Sequence, residues 1–155
     1  MPSSIPYPQN AEQEVRIPVI ELHTVVENLL VKYSMFRFDA KVAAARLVEA
    51  DLFGMPGHGV VLLPRLLDAI DHGHIDPRGS VLTLTDAPSF AILDGSRTIG
   101  PLAATRGAEL AVTKAKEHGV GIVTVSNGQT LGSAEVYVRL MAKAGVIGLC
   151  LSSTG

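Results

Sequence analysis

The sequence contains a single cysteine and no tryptophan among its 155 residues. One thiol, Cys150, cannot form an internal disulfide, which fits a reducing cytoplasm. No apolar run reaches the roughly 18 residues of a membrane span, and the amino terminus lacks the basic start and apolar stretch of a signal peptide. We therefore predict a cytoplasmic protein that does not act at a membrane.

Charged residues are also scarce. They make up 18% of the chain, and the net charge is −2. No basic run or basic–aromatic cluster is present, so we do not expect a nucleic-acid partner. Hydrophobic residues make up 47% of the chain. Because a chain of this size still has a large surface to cover, we expect part of that surface to be hidden against something else.

The first half of the sequence has helical spacing. Three prolines lie among the first eight residues, and residues 1–14 are predicted to form a disordered arm. Residues 15–77 are predicted to form a helical segment, because apolar side chains recur at helical intervals. Its predicted elements are an edge strand over 15–20 and helices over 21–33, 40–52 and 60–71, with Asp39 as the cap of the second helix.

Residues 78–155 change to alternating strands and helices. Strands are predicted over 81–85, 90–93, 121–125 and 146–151, and helices over 101–117 and 133–144. The region 119–151 is predicted to form a parallel strand–helix–strand unit, because nearly continuous apolar strands are typical of sheets covered on both faces. The sequence therefore predicts an α/β fold in which amino-terminal helices precede a partly parallel sheet with crossover helices.

His58 is the first candidate for chemistry. It lies between Gly57 and Gly59, whose small size leaves the imidazole reachable. Histidine titrates near neutral pH, so His58 can donate a proton to a carbonyl oxygen while hydride arrives at the carbon. The alternative is a loop histidine that hydrogen-bonds to the backbone at a helix end, and the spacing alone favours that structural role.

Other polar residues could bind a ligand. Arg65, on the third predicted helix, can clamp a carboxylate, although an exposed helix arginine is the commoner outcome. In open parallel sheets, ligands gather beyond the carboxyl ends of the strands. Two polar segments, 126–130 and 152–155, follow predicted strands in this way. They offer Asn127, Gln129, Thr130 and Thr154, which can bind a ligand or simply complete a loop.

Three further patterns are weak. Residues 95–100 have the glycine spacing of a phosphate loop, but the lysine and hydroxyl residue of a Walker motif do not follow. No Gly-x-Gly-x-x-Gly follows a predicted strand, so the standard dinucleotide fingerprint is absent. His72 and His74 form a His-x-His pair, but no third ligand has a suitable spacing and both residues suit a helix end. We therefore predict no metal site.

An ordered set of short motifs links the sequence to a known family. They run Ala50-Asp51-Leu52, His58-Gly59-Val60, Leu63-Pro64-Arg65 and Gly73-His74-Ile75-Asp76-Pro77, and continue through Asp94-Gly95, Gly119-Val120-Gly121 and Asn127 to Ile147-Gly148. In this order they resemble the amino-terminal part of the malate/L-lactate dehydrogenase-type oxidoreductases, which do not have the Rossmann fold. The resemblance covers about residues 21–155.

The resemblance implies an activity and a site. Members of that family reduce 2-keto acids or related cyclic imines with NADH or NADPH, have an unusual nucleotide-binding fold and form dimers. The resemblance thus implies an oxidoreductase that uses NAD or NADP and acts on a small 2-hydroxy acid or 2-keto acid, with His58 as the proton donor. Substrate would contact Arg65 and Thr130, and the cofactor would contact Asn127, Gln129 and Thr154.

Three positions near His58 depart from the family's pattern. The serine before the histidine is Gly57, and the arginine before Leu-Pro-Arg is Leu62. The histidine of the family's Asn-Ser-x-His-Phe-Gly stretch is Thr130. Each change removes a polar or charged group from the place where the resemblance puts the substrate.

The resemblance also predicts an incomplete protein. The family's main nucleotide-contacting segment would follow Gly155, so residues 78–155 are expected to be part of an incomplete nucleotide-binding domain. The expected partner is a second copy of the chain or a polypeptide that supplies the missing half. The alternative is a non-catalytic remnant that associates with a full-length relative.

Overall fold

The computed structural model describes residues 15–153. In this part the elements follow in the order α1 (Val19–Lys32), α2 (Arg37–Leu52), α3 (Leu63–Asp71), β1 (Leu82–Asp86), β2 (Phe90–Asp94), α4 (Gly100–His118), β3 (Ile122–Ser126) and α5 (Ala134–Lys143). Two 3-10 turns, Pro56–His58 and Val60–Leu62, connect α2 to α3. The arm predicted for residues 1–14, and Thr154, lie outside the described residues. None of the described helices is long and apolar enough to cross a membrane.

Helices α1, α2 and α3 enclose most of the hydrophobic core. Ala40, Ala43 and Ala44 of α2 are fully buried, and their small side chains allow the close packing found in protein interiors. Pro64 stands in the first turn of α3, where a missing N–H costs nothing. The same core includes Val26, Leu30, Leu47, Leu63, Leu66, Ile75, Ile99 and Leu102. The turns that carry His58 therefore rest on a closed, well-packed core.

Two predictions for the helical part are wrong. Residues 15–20 form no strand, because α1 begins directly after Pro18, whose carbonyl accepts a hydrogen bond from Leu22 N at 3.0 Å. Asp39 does not cap α2, because the helix already begins at Arg37. In the first turn of the helix, the Asp39 carboxylate still lies near the positive end of the helix dipole.

The sheet is partly parallel, as predicted. Its strand order is β1-β2-β3, with β1 antiparallel to β2 and β2 parallel to β3. Helix α4 connects the two parallel strands and packs on one face of them. The approach is close at Gly107, where a Cβ would lie 2.9 Å from Cγ2 of Val125. Amino-terminal helices followed by this sheet confirm the predicted α/β fold class.

The face of the sheet opposite α4 is open. Along β2, the buried Ala91 and Leu93 alternate with the exposed Phe90 and Ile92. The parallel register aligns Phe90 with Ile122 of β3. The side chains of Phe90, Ile92 and Ile122 are 45%, 38% and 59% exposed, so no described element covers them. We call Phe90, Ile92 and Ile122 the open face.

The strand predicted over 146–151 does not form, so the predicted parallel unit lacks its second strand. The N–H of Val146 instead donates to Met141 O at 3.2 Å, and residues 147–151 make no backbone hydrogen bond to another described residue. A Cβ on Gly148 would lie 2.8 Å from the Met141 Cβ, so the chain folds back on α5. An extended segment becomes a strand only when its N–H and C=O groups find a partner edge. Ile147, Leu149 and Leu151 are left exposed.

Candidate functional site

His58 ends the first 3-10 turn after α2. Its backbone N–H donates to Met55 O at 2.9 Å, and Pro56 begins the turn with the fixed φ of proline. The His58 side chain is exposed to solvent. An exposed imidazole on a constrained backbone can exchange a proton with a bound molecule.

Asp51 fixes the backbone directly after this turn. Its Oδ2 accepts a hydrogen bond from Val60 N at 2.9 Å. A Cβ on Gly59 would overlap the same carboxylate, so Gly59 is needed for the close approach. Burial raises the pKa of Asp51, and the hydrogen bond from Val60 opposes that rise. The sequence analysis included Asp51 in a motif but did not predict this contact. The signal in the sequence is weak, because it consists only of an aspartate that precedes the Gly59–Val60 pair.

A second group of polar residues lies where β2 and β3 end. The parallel register pairs Asp94 with Ser126. Asn127 Nδ2 donates to Asp94 Oδ2 at 2.9 Å, and Ser96 N donates to Asp94 Oδ1 at 2.6 Å. The bond from Ser96, and then that from Asn127, lowers the pKa of Asp94. Asn127 therefore lies at the strand ends, as predicted. Its side-chain nitrogen links the end of β3 to the end of β2 through Asp94. The role of Asp94 was missed because it depends on the register.

The loop after Asn127 reaches the His58 turn. Gln129 Nε2 donates to His74 O at 3.2 Å. The backbone of Thr130 packs against the start of α4, where a Cβ on Gly100 would overlap the Thr130 carbonyl. At Gly132, with φ of 82°, a Cβ would lie only 3.0 Å from His58 O. The fold thus brings together the His58 turn and the segment that contains Gln129 and Thr130, which are about seventy positions away in sequence.

Other candidate residues lie elsewhere. Arg65 is exposed in the first turn of α3 and makes no hydrogen bond or ion pair with another described residue. The ring of His72 stacks on that of His74 with centroids 6.5 Å apart. Its Nδ1 lies 2.9 Å from Asp68 O, and this bond together with the Asp68 charge raises the pKa of His72. In the part of the chain that the structure describes, no three histidine, cysteine or acidic residues are grouped to hold a metal.

Two cavities lie away from His58. One, of about 160 Å³, lies between α2 and α5 and is lined by Arg46, Glu49 and Arg139 among others. The second, of about 400 Å³, is lined by residues of α2, β1, β2 and α4 and by the segment before β1. His58 lines neither cavity.

Residues 17–155 match the family model described as malate/L-lactate dehydrogenase. The chain belongs to this family. The resemblance drawn from the short motifs around His58 is thereby confirmed, together with the partly parallel α/β fold.

Individual members of the family are clearly similar. The chain is 36% identical to a malate dehydrogenase of Pyrococcus abyssi over 143 residues, which cover 92% of this chain and 40% of that protein. It is 32% identical to an L-sulfolactate dehydrogenase of Methanocaldococcus jannaschii, covering 84% of this chain and 38% of that protein. The structure of malate dehydrogenase from Pyrococcus horikoshii OT3 superposes with a TM-score of 0.81 at 34% identity, covering 84% of this chain and 38% of that one. The chain thus spans about 40% of the length of such relatives.

Proposed function

We propose that this chain forms the proton-donating part of an NAD- or NADP-dependent oxidoreductase that interconverts a small 2-hydroxy acid and its 2-keto acid. The observation that carries the proposal is the exposed His58 on a turn held by Asp51 and Gly59. The malate and sulfolactate dehydrogenases that the chain resembles are named for hydroxy-acid substrates.

The chemistry assigns one step to His58. Hydride addition to the carbonyl carbon of a 2-keto acid leaves negative charge on the oxygen, which must receive a proton for the hydroxyl to form. The His58 imidazolium can donate that proton, and neutral imidazole can remove it in the reverse direction. Arg65 does not release its proton at neutral pH, and the hydroxyl of Thr130 is far too weak an acid. We assign these two residues to substrate binding.

Residues of the loop after β3 are proposed to contact the cofactor, which supplies or accepts the hydride when bound. A dinucleotide needs several converging donors and an apolar slot. The amide nitrogens of Asn127 and Gln129 already donate to Asp94 and His74, and Thr130 covers the start of α4. The described candidate residues therefore offer few free donors to such a cofactor. We expect the isolated chain to bind NADH or NADPH weakly or not at all.

A second candidate function is association without catalysis. The open face and the exposed Ile147, Leu149 and Leu151 favour it, since exposed apolar area of this extent drives binding to another polypeptide. In this alternative the chain is a subunit that pairs with itself or with a longer relative. Both functions require association, so they differ only in whether His58 acts on a substrate.

The test measures NADH oxidation by the chain mixed with the remaining carboxyl-terminal part of the Pyrococcus horikoshii malate dehydrogenase, using a panel of 2-keto acids. In an active assembly, His58→Ala should lower turnover by about 10² to 10⁴ while changing cofactor affinity little. Near-normal turnover in the variant would remove His58 from the mechanism. A stable assembly with no activity on any 2-keto acid would reject catalysis and leave the non-catalytic subunit.

A further inference from the structure

The cavity of about 400 Å³ has no part in the function proposed above. Its walls include four aliphatic side chains, Val81, Leu93, Leu102 and Leu110. Leu93 and Leu102 are 3% and 4% exposed, so this half-open cavity has buried side chains in its floor. A volume of this size falls in the range of small-molecule sites, about 300–1,000 Å³.

Two opposite charges line the same cavity. Asp39 of α2 and Arg106 of α4 both contribute to its wall. The Nη2 atom of Arg106 lies 3.7 Å from Asp39 Oδ1, and its Nη1 atom lies 3.4 Å from Glu109 Oε2. Well-formed arginine–carboxylate bonds are about 2.7–2.9 Å long. The ion pairs of Arg106 with Asp39 and Glu109 are therefore longer than well-formed ones, which leaves Asp39 and Arg106 able to form a shorter bond with a further partner.

The guanidinium of Arg106 is also held in position. Its central carbon lies 5.5 Å from the centroid of the Phe38 ring, which is a cation–π distance. An arginine supported by an aromatic face loses less freedom when it binds an anion than a free surface arginine does. The Arg106 side chain is 40% exposed and that of Asp39 is 25% exposed, so both remain accessible to a small molecule.

The strand wall of the cavity is irregular. The pairing of β1 with β2 shifts register between Thr83 and Thr85, and Thr83 lines the cavity beside its partner Leu93. Such bulges locally bend a strand, re-aim its side chains and are common beside binding sites. Here the register shift begins at the pair of Thr83 and Leu93, both of which line the cavity.

We propose that this cavity binds a free apolar α-amino acid. Its ammonium group contacts Asp39, its carboxylate contacts Arg106, and its side chain packs against Leu93, Leu102 and Leu110. A 2-hydroxy acid carries no ammonium group to contact Asp39, so the site is distinct in chemistry from the one proposed around His58. The inference does not depend on the chain being an oxidoreductase.

The experiment is a calorimetric and NMR titration of the chain with L-leucine. Two analogues separate the charges: 4-methylpentanoate has only the carboxylate, and 3-methylbutylamine has only the ammonium group. We expect saturable binding of leucine, with shifted resonances at the cavity residues. Each analogue should bind at least about tenfold more weakly. Equal affinity for leucine and either analogue, or no saturable binding of leucine, overturns the proposal.

Variants test the assignment of each charge. Arg106→Gln and Asp39→Asn should each weaken leucine binding by about tenfold or more, while the fold is checked by the NMR spectrum. Glu109→Gln is the matched control, because Glu109 neighbours Arg106 but does not line the cavity. Leu110→Trp fills the cavity and should abolish binding with both charges intact. Unchanged affinity in Arg106→Gln, or an equal loss in Glu109→Gln, overturns the proposal.

Discussion

The helical part of the molecule, residues 15–77, packs around a closed core, whereas the sheet part, residues 78–153, leaves one face of its sheet uncovered. In the helical part, residues such as Leu30 and Leu47 are 0% and 1% exposed. In the sheet part, α4 covers one face of the sheet, and the open face is left to solvent. The helical part thus has a closed core, to which Ile99 and Leu102 of the sheet part also contribute, whereas no described element covers one face of the sheet.

This difference explains how the candidate site is divided. The His58 turn belongs to the helical part, where Asp51 bonds the backbone directly after the turn and α2 packs in the core. The residues proposed to contact the cofactor, Asn127 and Gln129, belong to the part with an uncovered sheet. A proton donor needs a fixed position before the substrate arrives. A cofactor site, by contrast, can be completed by residues of the polypeptide that covers the sheet.

The first prediction concerns the open face and has the largest expected effect. Ile92→Lys and Ile122→Lys should each weaken association of the chain by about 10- to 100-fold, because burying a lysine replaces a favourable apolar contact with a desolvation cost. Sedimentation over a range of concentrations measures the dissociation constant. A wild-type chain that stays monomeric at high concentration would contradict the proposed association itself.

The control for this prediction comes from the helical part. Leu52, at the end of α2, is 58% exposed, as apolar and as exposed as Ile122. Leu52→Lys should leave association unchanged if the chain associates through the open face of the sheet. An equal loss at both places would mean that association is non-specific, and the contrast between the two parts would disappear.

The second prediction tests whether the bond between Asp51 and Val60 stabilises the backbone beside His58. Gly59→Ala should destabilise the chain by about 1–3 kcal/mol, because the added Cβ displaces the Asp51 carboxylate and breaks its bond to Val60. Urea unfolding followed by circular dichroism gives the free energy. Gly57→Ala is the matched control on the other side of His58, since no atom lies within 4 Å of a Cβ there. Similar losses in the two variants would show that Asp51 does not hold the turn.

The sequence predicted local features well and long-range ones poorly. Periodicity located the helices and β1 to β3 because each pattern is set by neighbours along the chain. It failed at 146–151, where an apolar run of strand length has no partner edge in the described part of the chain. The motif resemblance identified His58 and the loop of Thr130, but their meeting at Gly132 is a tertiary contact. The pairing of Asn127 with Asp94 likewise depends on the parallel register of two strands.

The third prediction uses two carboxyl groups whose pKa values move in opposite directions. Hydrogen bonds from Ser96 and Asn127 lower the pKa of Asp94, so its contribution to stability is present above the unfolded pKa and is lost as pH falls through the folded one. Burial raises the pKa of Asp51, so its contribution is present below the unfolded pKa and is lost as pH rises through the folded one. The two carboxyl groups should therefore contribute to the pH dependence of stability with opposite signs.

The free energy of unfolding, measured from acid to neutral pH, tests these signs in Asp94→Asn and Asp51→Asn. Relative to the wild type, Asp94→Asn should become less stable as pH rises, because only the wild type gains the ionised Asp94. Asp51→Asn should become relatively more stable as pH rises, because it avoids burying a charge while its amide oxygen can still accept from Val60 N. Both changes should be smaller than that of Gly59→Ala, since water screens the partly exposed carboxyl groups. Curves that run parallel to the wild type in both variants would show that neither carboxyl couples folding to pH, and the two parts would then differ in packing alone.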